Sequence, residues 1–294
     1  MPAPLIHVGP EPEDHLVSAV EEGGGRVVAL DEAEGVIWAG GPDFPQFPSG
    51  VRWVQLPAAG VESWMDAVQA QPRIRFTSCA GAYATQVAEH ALALLLAGVR
   101  GIVGYAQTKT WNPGGDRVLE GSTVAIVGAG GIGRELIKML EPHDVQVIAV
   151  TRSGRDDTLP VERLGEVWGA ADHFVIAAPA TDGTRHLVGA DELAQMKPHS
   201  WIVNIARGAL IDADALVDAL REERIGGAAL DVTEPEPLPD DHPLWNQPHA
   251  LITPHVANPP ETMNRDLAKR VEDNVRRFAA GEELVAPVSP QNGY

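Results

Sequence analysis

The sequence is poor in cysteine and in positive charge, and each shortage excludes a class of protein. Cys79 is the single cysteine, so an intramolecular disulfide framework is excluded and a reducing compartment is expected. We expect Cys79 to be a small buried side chain rather than a nucleophile. Lysine and arginine number 22 against 41 aspartates and glutamates, for a net charge of −19. This charge argues against nucleic acid or an anionic membrane as a partner.

Long apolar runs and metal-binding spacings are also missing. The longest apolar run, residues 91–99, is too short to span a bilayer. The first residues lack the basic and apolar regions of a secretory signal, so a cytoplasmic protein is expected. The ten histidines are scattered without a Cys/His cluster, and we therefore predict no metal site.

What the chain does contain is an alternation of short apolar runs and helix-like segments, which predicts an α/β fold with two doubly wound parallel sheets. The first hundred residues hold five strand candidates, with helices over 14–22 and 62–70. A long apolar helix is predicted over 85–100, followed by a glycine-rich linker that includes the Trp-Asn-Pro-Gly-Gly stretch. Six further strand candidates then precede a last helix over 261–279, which could pack on either domain.

The segment STVAIVGAGGIGRELIKML places a GxGxxG pattern between an apolar strand and an amphipathic helix. Gly128 permits the tight turn, Gly130 lets the backbone approach a pyrophosphate, and Gly133 lets helix and strand pack closely. Together with Gly131 and Ile132, these residues open a helix whose N-terminal amides attract phosphate. The pattern predicts dinucleotide binding.

The stretch AVTRSGRDD begins in the second strand of this series, and its residues 151–153 lie 18 to 20 residues beyond the last glycine of the turn. NAD-binding domains usually carry Asp or Glu there to hold the adenosine ribose, whereas arginine attracts the 2′-phosphate of NADP. The predicted contacts are Arg152 and Ser153, with Thr151 adding a hydroxyl and Arg155 as a third. The stretch therefore favours NADP(H), with a solvated loop that also accepts NAD(H) as the alternative. Asp156 and Asp157 should point away from the phosphate.

Three later stretches, VNIARGALID, ALDVTEPEPLP and LITPHVA, lie at or just past the ends of predicted strands. Ligands bind at those ends in an open α/β sheet. An arginine can pair with a substrate carboxylate and polarise its carbonyl, and a histidine oriented by a carboxylate can give a proton to the carbonyl oxygen. Such a set suits hydride exchange between a nicotinamide and a 2-oxo or 2-hydroxy acid.

With these stretches in order, the chain resembles the D-isomer-specific 2-hydroxyacid dehydrogenases over nearly its whole length. The motifs that carry the resemblance are VAEHALALLLAGVR, GAGGIG, TRHLVGADELAQMKP, NIARG, LDV with EPLP, and TPHVA. The resemblance implies a flavodoxin-like substrate domain over 1–98 with 265–294, and a Rossmann-type dinucleotide domain over 99–264. It also implies an active site in the cleft between the domains, and a homodimer.

Carried over position by position, the resemblance makes Arg207 the substrate-binding arginine, Glu236 the acid that orients the histidine, and His255 the acid/base. Glu234 remains a rival to Glu236, because both acids are followed by proline. Asp231 matches an aspartate beside the nicotinamide carboxamide, and Pro179, Thr184 and Ala206 are further cofactor contacts. His90 and His242 are expected to be structural.

The loop QLPAAGVESW looks like the family's loop whose backbone amides hold the substrate carboxylate. That likeness assigns Ala58, Ala59 and Gly60 to substrate binding, since a small-residue turn before a helix exposes its amides. A plain strand-to-helix turn is the alternative. The tract Asn258-Pro259-Pro260 after TPHVA departs from the family pattern, so the identity of the substrate stays open.

Together these features predict an NADPH-preferring reductase of small 2-oxo acids, most like the glyoxylate/hydroxypyruvate reductase branch. A dehydrogenase of another small anion, such as formate or phosphite, is the alternative among enzymes. From a different class, a non-catalytic dinucleotide-sensing co-regulator would share the fold. Turnover separates the sensor from both enzymes.

Overall fold

The computed structural model describes residues 2–111, 114 and 117–290, in which helices and parallel strands alternate. The helices are α1 (Asp14–Glu22), α2 (Met65–Gln69), α3 (Ala84–Val99), α4 (Ile102–Gln107), α5 (Gly131–Leu140), α6 (Ala190–Gln195), α7 (Ala213–Arg221) and α8 (Pro260–Ala280). The strands are β1 (Leu5–Gly9), β2 (Arg26–Val27), β3 (Gly35–Trp38), β4 (Trp53–Gln55), β5 (Arg75–Thr77), β6 (Thr123–Val127), β7 (Gln146–Thr151), β8 (Leu159–Pro160), β9 (His173–Ile176), β10 (Trp201–Asn204), β11 (Gly227–Leu230) and β12 (Ala250–Ile252).

The first compact unit comprises residues 2–83 and 259–290. Its five strands are parallel in the order β2-β1-β3-β4-β5, which is the flavodoxin-like order. Helix α8 packs against α1, and the buried Asn274 of α8 donates to Gln55 Oε1 at 2.8 Å. The last helix, which its apolar pattern left open and the resemblance placed from residue 265 onward in the substrate domain, belongs to this unit.

The second unit comprises residues 84–258, and its sheet has the order β12-β11-β10-β9-β6-β7-β8. Six of these strands follow the dinucleotide-binding order, with the change of direction between β6 and β9. The short β8, which the sequence analysis did not predict, pairs parallel with the end of β7. The α/β class with two doubly wound parallel sheets is thus confirmed.

Helix α3 lies in the second unit because it packs on β10 and β11. Gly98 allows this close approach, since a Cβ there would come within 2.3 Å of the Trp201 ring. The two units meet in sequence at 83/84 and 258/259, whereas the family resemblance implies domain limits at 98/99 and 264/265.

Helix α4 follows α3 almost directly. The Trp-Asn-Pro-Gly-Gly stretch predicted as a linker lies partly outside the described residues. Among the described residues, no helix has the length and apolarity needed to cross a bilayer.

Candidate active site

The residues predicted for catalysis follow adjacent parallel strands of the seven-stranded sheet. Arg207 comes after β10, Asp231 directly after β11, and His255 after β12. Strands β10, β11 and β12 are neighbours in the sheet, so their carboxyl ends meet at one edge. This is the edge at which open α/β sheets bind ligands.

The backbone around Arg207 is fixed by the buried Asn204 at the end of β10. Asn204 Nδ2 donates to the Arg207 carbonyl at 2.9 Å, and its Oδ1 accepts from the Ala206 amide at 3.1 Å. Next along the chain, a Cβ on Gly208 would lie 2.0 Å from the Thr233 carbonyl. Only glycine permits this approach, which brings the segment carrying Arg207 against the backbone that leads to Glu236.

His255 and Glu236 form a direct pair. His255 Nδ1 lies 2.6 Å from Glu236 Oε1, and the two side chains are 51% and 42% exposed. Because a carboxylate only accepts, the ring donates through Nδ1, which leaves Nε2 for proton exchange with a ligand. The geometry is that of an acid/base histidine held in one orientation by a carboxylate.

Glu234, the rival to Glu236, is occupied elsewhere. Arg185 donates a hydrogen bond to each carboxylate oxygen of Glu234, at 2.8 and 3.0 Å. His186 Nε2 lies 3.4 Å from Glu234 Oε2. The hydrogen bonds from Arg185 lower the pKa of Glu234. The structure therefore places Glu236, and not Glu234, against His255. Arg185 is not among the residues that the sequence predicts for the site.

Asp231 is buried, and its carboxylate is bound from several sides by this chain. It accepts from the Thr253 hydroxyl at 2.6 Å and from the amides of Val256 and Ala257 at 2.9 and 3.0 Å. Burial raises the pKa of Asp231, but hydrogen bonds from His90, Thr253 and the two amides outweigh burial and lower it to about 2. The Asp231 carboxylate therefore already holds the segment around His255, and the predicted contact with the nicotinamide carboxamide would be made by these same oxygens.

The glycine turn fits a dinucleotide. Gly128 has φ +100°, and a Cβ there would meet the backbone of Ala177 and Ala178 at 2.4–2.5 Å. A Cβ on Gly133 would lie 2.9 Å from the Gly128 carbonyl, whereas one on Gly130 would meet no atom of the described residues within 4 Å. Helix α5 begins at Gly131 with no side-chain cap on Gly130, so its first amides, with Ile132 in the first turn, are open to a pyrophosphate.

The basic turn after β7 is shaped by its own hydroxyls. Thr151 Oγ1 lies 2.6 Å from Thr158 Oγ1 and accepts from the Gly154 amide at 3.1 Å. The hydroxyl of Thr151, predicted as a cofactor contact, therefore has partners within the turn. Arg152, Ser153 and Arg155 are exposed.

One acid of this turn, Asp156, contacts the helix that follows the glycine turn. Asp156 accepts from Arg134 Nη2 at 2.8 Å, and both side chains are largely exposed. Arg134 stands on α5, one residue beyond the last glycine of the turn. Asp156 thus faces the dinucleotide helix and is neutralised by an arginine that the sequence analysis did not select.

The remaining predicted contacts lie in loops. Thr184 Oγ1 donates to the Pro179 carbonyl at 2.8 Å and accepts from the Thr181 amide at 2.8 Å, which fixes the loop after β9. In the first unit, the Ala58 carbonyl accepts from the Cys79 amide at 2.8 Å. Within the described residues, the amides of Ala59 and Gly60 donate to no acceptor. They are available to an anion.

Comparison with known proteins places these features in a family. The sequence model described as D-isomer specific 2-hydroxyacid dehydrogenase, NAD binding domain, matches residues 92–257. An uncharacterized protein in the proB 3′ region of Corynebacterium melassecola is 40% identical, over 94% of this chain and 96% of its own. Glyoxylate/hydroxypyruvate reductase B of Pectobacterium carotovorum is 32% identical, over 90% of this chain and 88% of its own.

The fold of one solved structure matches that of this chain over the full length of both. A D-isomer specific 2-hydroxyacid dehydrogenase from Xanthobacter autotrophicus Py2, in complex with NADPH and MES, superposes with a TM-score of 0.86. It is 25% identical, and the match covers 100% of both chains.

Proposed function

The chain belongs to the D-isomer specific 2-hydroxyacid dehydrogenases, an NAD(P)-dependent family, and from this premise we propose that it is an NADPH-preferring reductase of small 2-oxo acids. Its products would be D-2-hydroxy acids, and glyoxylate and hydroxypyruvate are the leading substrates. The observation that carries the proposal is the His255–Glu236 pair at the sheet edge that also bears Arg207. Relatives named as glyoxylate/hydroxypyruvate reductase B and glyoxylate reductase support the substrate class.

In the proposed reaction the bound NADPH supplies the hydride that reaches C2 of the 2-oxo acid. Arg207 binds the substrate carboxylate and draws electron density from the carbonyl. His255 gives the proton on Nε2 to the carbonyl oxygen, and Glu236 holds Nδ1 throughout, so the imidazole keeps one orientation. A 2-oxo acid plus one hydride and one proton yields the 2-hydroxy acid, and atoms and charge balance.

The preference for NADPH is proposed from the turn after β7. Arg152 and Ser153 are exposed there, Arg155 follows, and Arg134 stands opposite on α5. Guanidinium groups recognise a 2′-phosphate by bidentate hydrogen bonds, which the 2′-hydroxyl of NAD cannot match. NAD(H) is proposed as the weaker cofactor.

The two units are proposed to divide the work. The unit of residues 84–258 binds the dinucleotide through Gly128, Gly130 and Gly133, with Pro179, Thr184, Ala206 and Asp231 as further contacts. The other unit contributes the amides of Ala59 and Gly60 to the substrate carboxylate. A cytoplasmic homodimer stays a prediction that rests on the family resemblance.

The test is a panel of substrates assayed with NADPH and with NADH in parallel. We expect the highest kcat/KM for glyoxylate or hydroxypyruvate, with larger 2-oxo acids slower. Reduction of NADP+ by formate or phosphite, with no turnover of any 2-oxo acid, would replace the proposal by the alternative among enzymes, for which a formate dehydrogenase among the relatives gives a reason. Tight NADPH binding without turnover of any substrate would instead indicate a sensor.

A further inference from the structure

We propose that His90 is a positioning residue, which holds the segment carrying His255 through Thr253 and Asp231. The inference rests on the proposed function, because it takes His255 as the proton donor. His90 stands on α3, far in sequence from the catalytic stretches, and the proposed reaction does not use it. The role that we infer for His90 follows from its contacts with Thr253 and Asp231.

His90, Thr253 and Asp231 form a chain of hydrogen bonds in which each donor and acceptor can be assigned. His90 Nε2 lies 3.1 Å from Thr253 Oγ1 and 3.3 Å from Asp231 Oδ1. Thr253 Oγ1 lies 2.6 Å from the same carboxylate oxygen. The hydroxyl has one proton, and the carboxylate can only accept it, so Thr253 donates to Asp231 and accepts from His90. The ring of His90 must therefore donate through Nε2.

The carboxylate at the end of this chain fixes the backbone around His255. Asp231 accepts the amides of Val256 and Ala257 with its side chain, and its carbonyl accepts the His255 amide at 2.8 Å. His255 itself has φ +53°, in the left-handed region that is unfavourable for a residue with a side chain. A conformation of this kind persists only where the surroundings hold it, and here Asp231 does so.

Helix α3 provides a rigid base for the chain of contacts. One turn before His90, Gln86 Nε2 donates to Asn258 Oδ1 at 3.1 Å. Residues four apart share one face of a helix, so this face holds both Thr253 and Asn258, on either side of His255. Because α3 packs on β10 and β11, the segment is tied to the sheet rather than to another loop.

Two substitutions separate donation from packing. His90→Leu removes the donor, whereas His90→Gln offers an amide N–H at a similar reach. Since misplacing a catalytic group by an ångström costs about 10²-fold, we expect His90→Leu to lower kcat by roughly 10- to 100-fold and His90→Gln to recover most of it. The Kd of NADPH should change by less than about threefold. Glu89→Gln, an exposed neighbour on the same helix, is the matched control and should behave as wild type.

A second readout does not depend on turnover. Hydrogen exchange of the Val256 and Ala257 amides should accelerate in His90→Leu and stay near wild type in His90→Gln. Unchanged exchange and kcat in His90→Leu would overturn the inference while leaving the proposed function intact. Equal losses in both variants would also overturn it, because they would assign His90 to packing. If the wild type reduces no 2-oxo acid, the proposed function fails, and exchange still decides whether His90 holds the segment.

Discussion

The two ends of the seven-stranded sheet carry the same kinds of side chain in different surroundings. At the carboxyl end, His255 is half exposed and paired with the half-exposed Glu236. At the amino end, His173 is 2% exposed, and its Nδ1 accepts from the Trp201 amide at 3.2 Å. Beside it, Asp172 accepts from Lys197 at 2.8 Å.

The two histidines differ because burial disfavours protonation of the His173 ring. Burial, together with the neighbouring His199, lowers the pKa of His173 to about 4. A ring that is neutral throughout the physiological range and accepts a backbone amide cannot serve as an acid there. His255 donates through Nδ1, and its side chain is half exposed, so Nε2 is left for a ligand. The two ends therefore separate a half-exposed histidine paired with a carboxylate from a buried histidine that accepts a backbone amide.

The largest expected effect is the loss of kcat when the side chain of His255 is removed at the carboxyl end of the sheet. His255→Ala should lower kcat by about 10²- to 10⁴-fold, because general acid catalysis contributes that much. The Kd of NADPH should stay near wild type. His199→Ala, at the amino end, removes a histidine that also contacts a carboxylate, at 3.0 Å, and should leave kcat unchanged. Equal effects of the two substitutions would contradict the comparison, and loss of NADPH binding in His255→Ala would assign that histidine a structural role.

The next effect concerns stability at the amino end. His173 has a folded-state pKa of about 4, against the ordinary value of 6.5. Below pH 6.5 the unfolded chain binds the proton first, so the stability that His173 contributes is complete above pH 6.5 and is lost as the pH falls to about 4. The loss is on the order of 3 kcal/mol, from about 1.4 kcal/mol for each pH unit of the difference.

His173→Asn isolates this contribution. Asparagine can still accept the Trp201 amide but does not titrate. Urea denaturation at pH 7 and pH 4 should therefore show the variant gaining about 3 kcal/mol relative to wild type on acidification. A difference between the two proteins that does not change with pH would show that His173 is not held neutral by its burial.

The smallest effect tests whether an exposed pair near the catalytic residues differs from one far from them. Arg185→Gln releases Glu234, two residues before Glu236, and should lower kcat by up to about tenfold, since small displacements of catalytic groups are costly. Arg163→Gln breaks another bidentate pair, with Glu166, in which the arginine is as exposed as Arg185, and should leave kcat unchanged. Neither should alter the free energy of unfolding by more than about 1 kcal/mol. Equal kcat values would remove the positioning role of Arg185.

Much of the carboxyl end could be predicted from the sequence, because parallel strands place their ends at one edge. That rule brought the segments of Arg207, Asp231 and His255 to one edge, and the family register chose Glu236 over Glu234. The sequence could not show that Arg185 reaches Glu234, which is 49 residues away. That contact depends on how two loops lie after folding.

His90 shows the same limit. In the sequence His90 is a single histidine in an apolar helix, and such a residue is usually structural. Its partner Thr253 is 163 residues away, and only the packing of α3 on the sheet brings the two together. The hydroxyl of Thr151 shows a further limit, because its position at the end of β7 predicts a cofactor contact but does not reveal that Thr158 and the Gly154 amide lie against it.

The proposed cofactor preference is measured most directly by the ratio of kcat/KM with NADPH to kcat/KM with NADH, using glyoxylate or hydroxypyruvate as the substrate. We expect a ratio well above one, and we expect Arg152→Gln to lower it mainly by raising the KM for NADPH. A wild-type enzyme that uses NADH with the higher kcat/KM would show that the basic turn after β7 does not select NADPH.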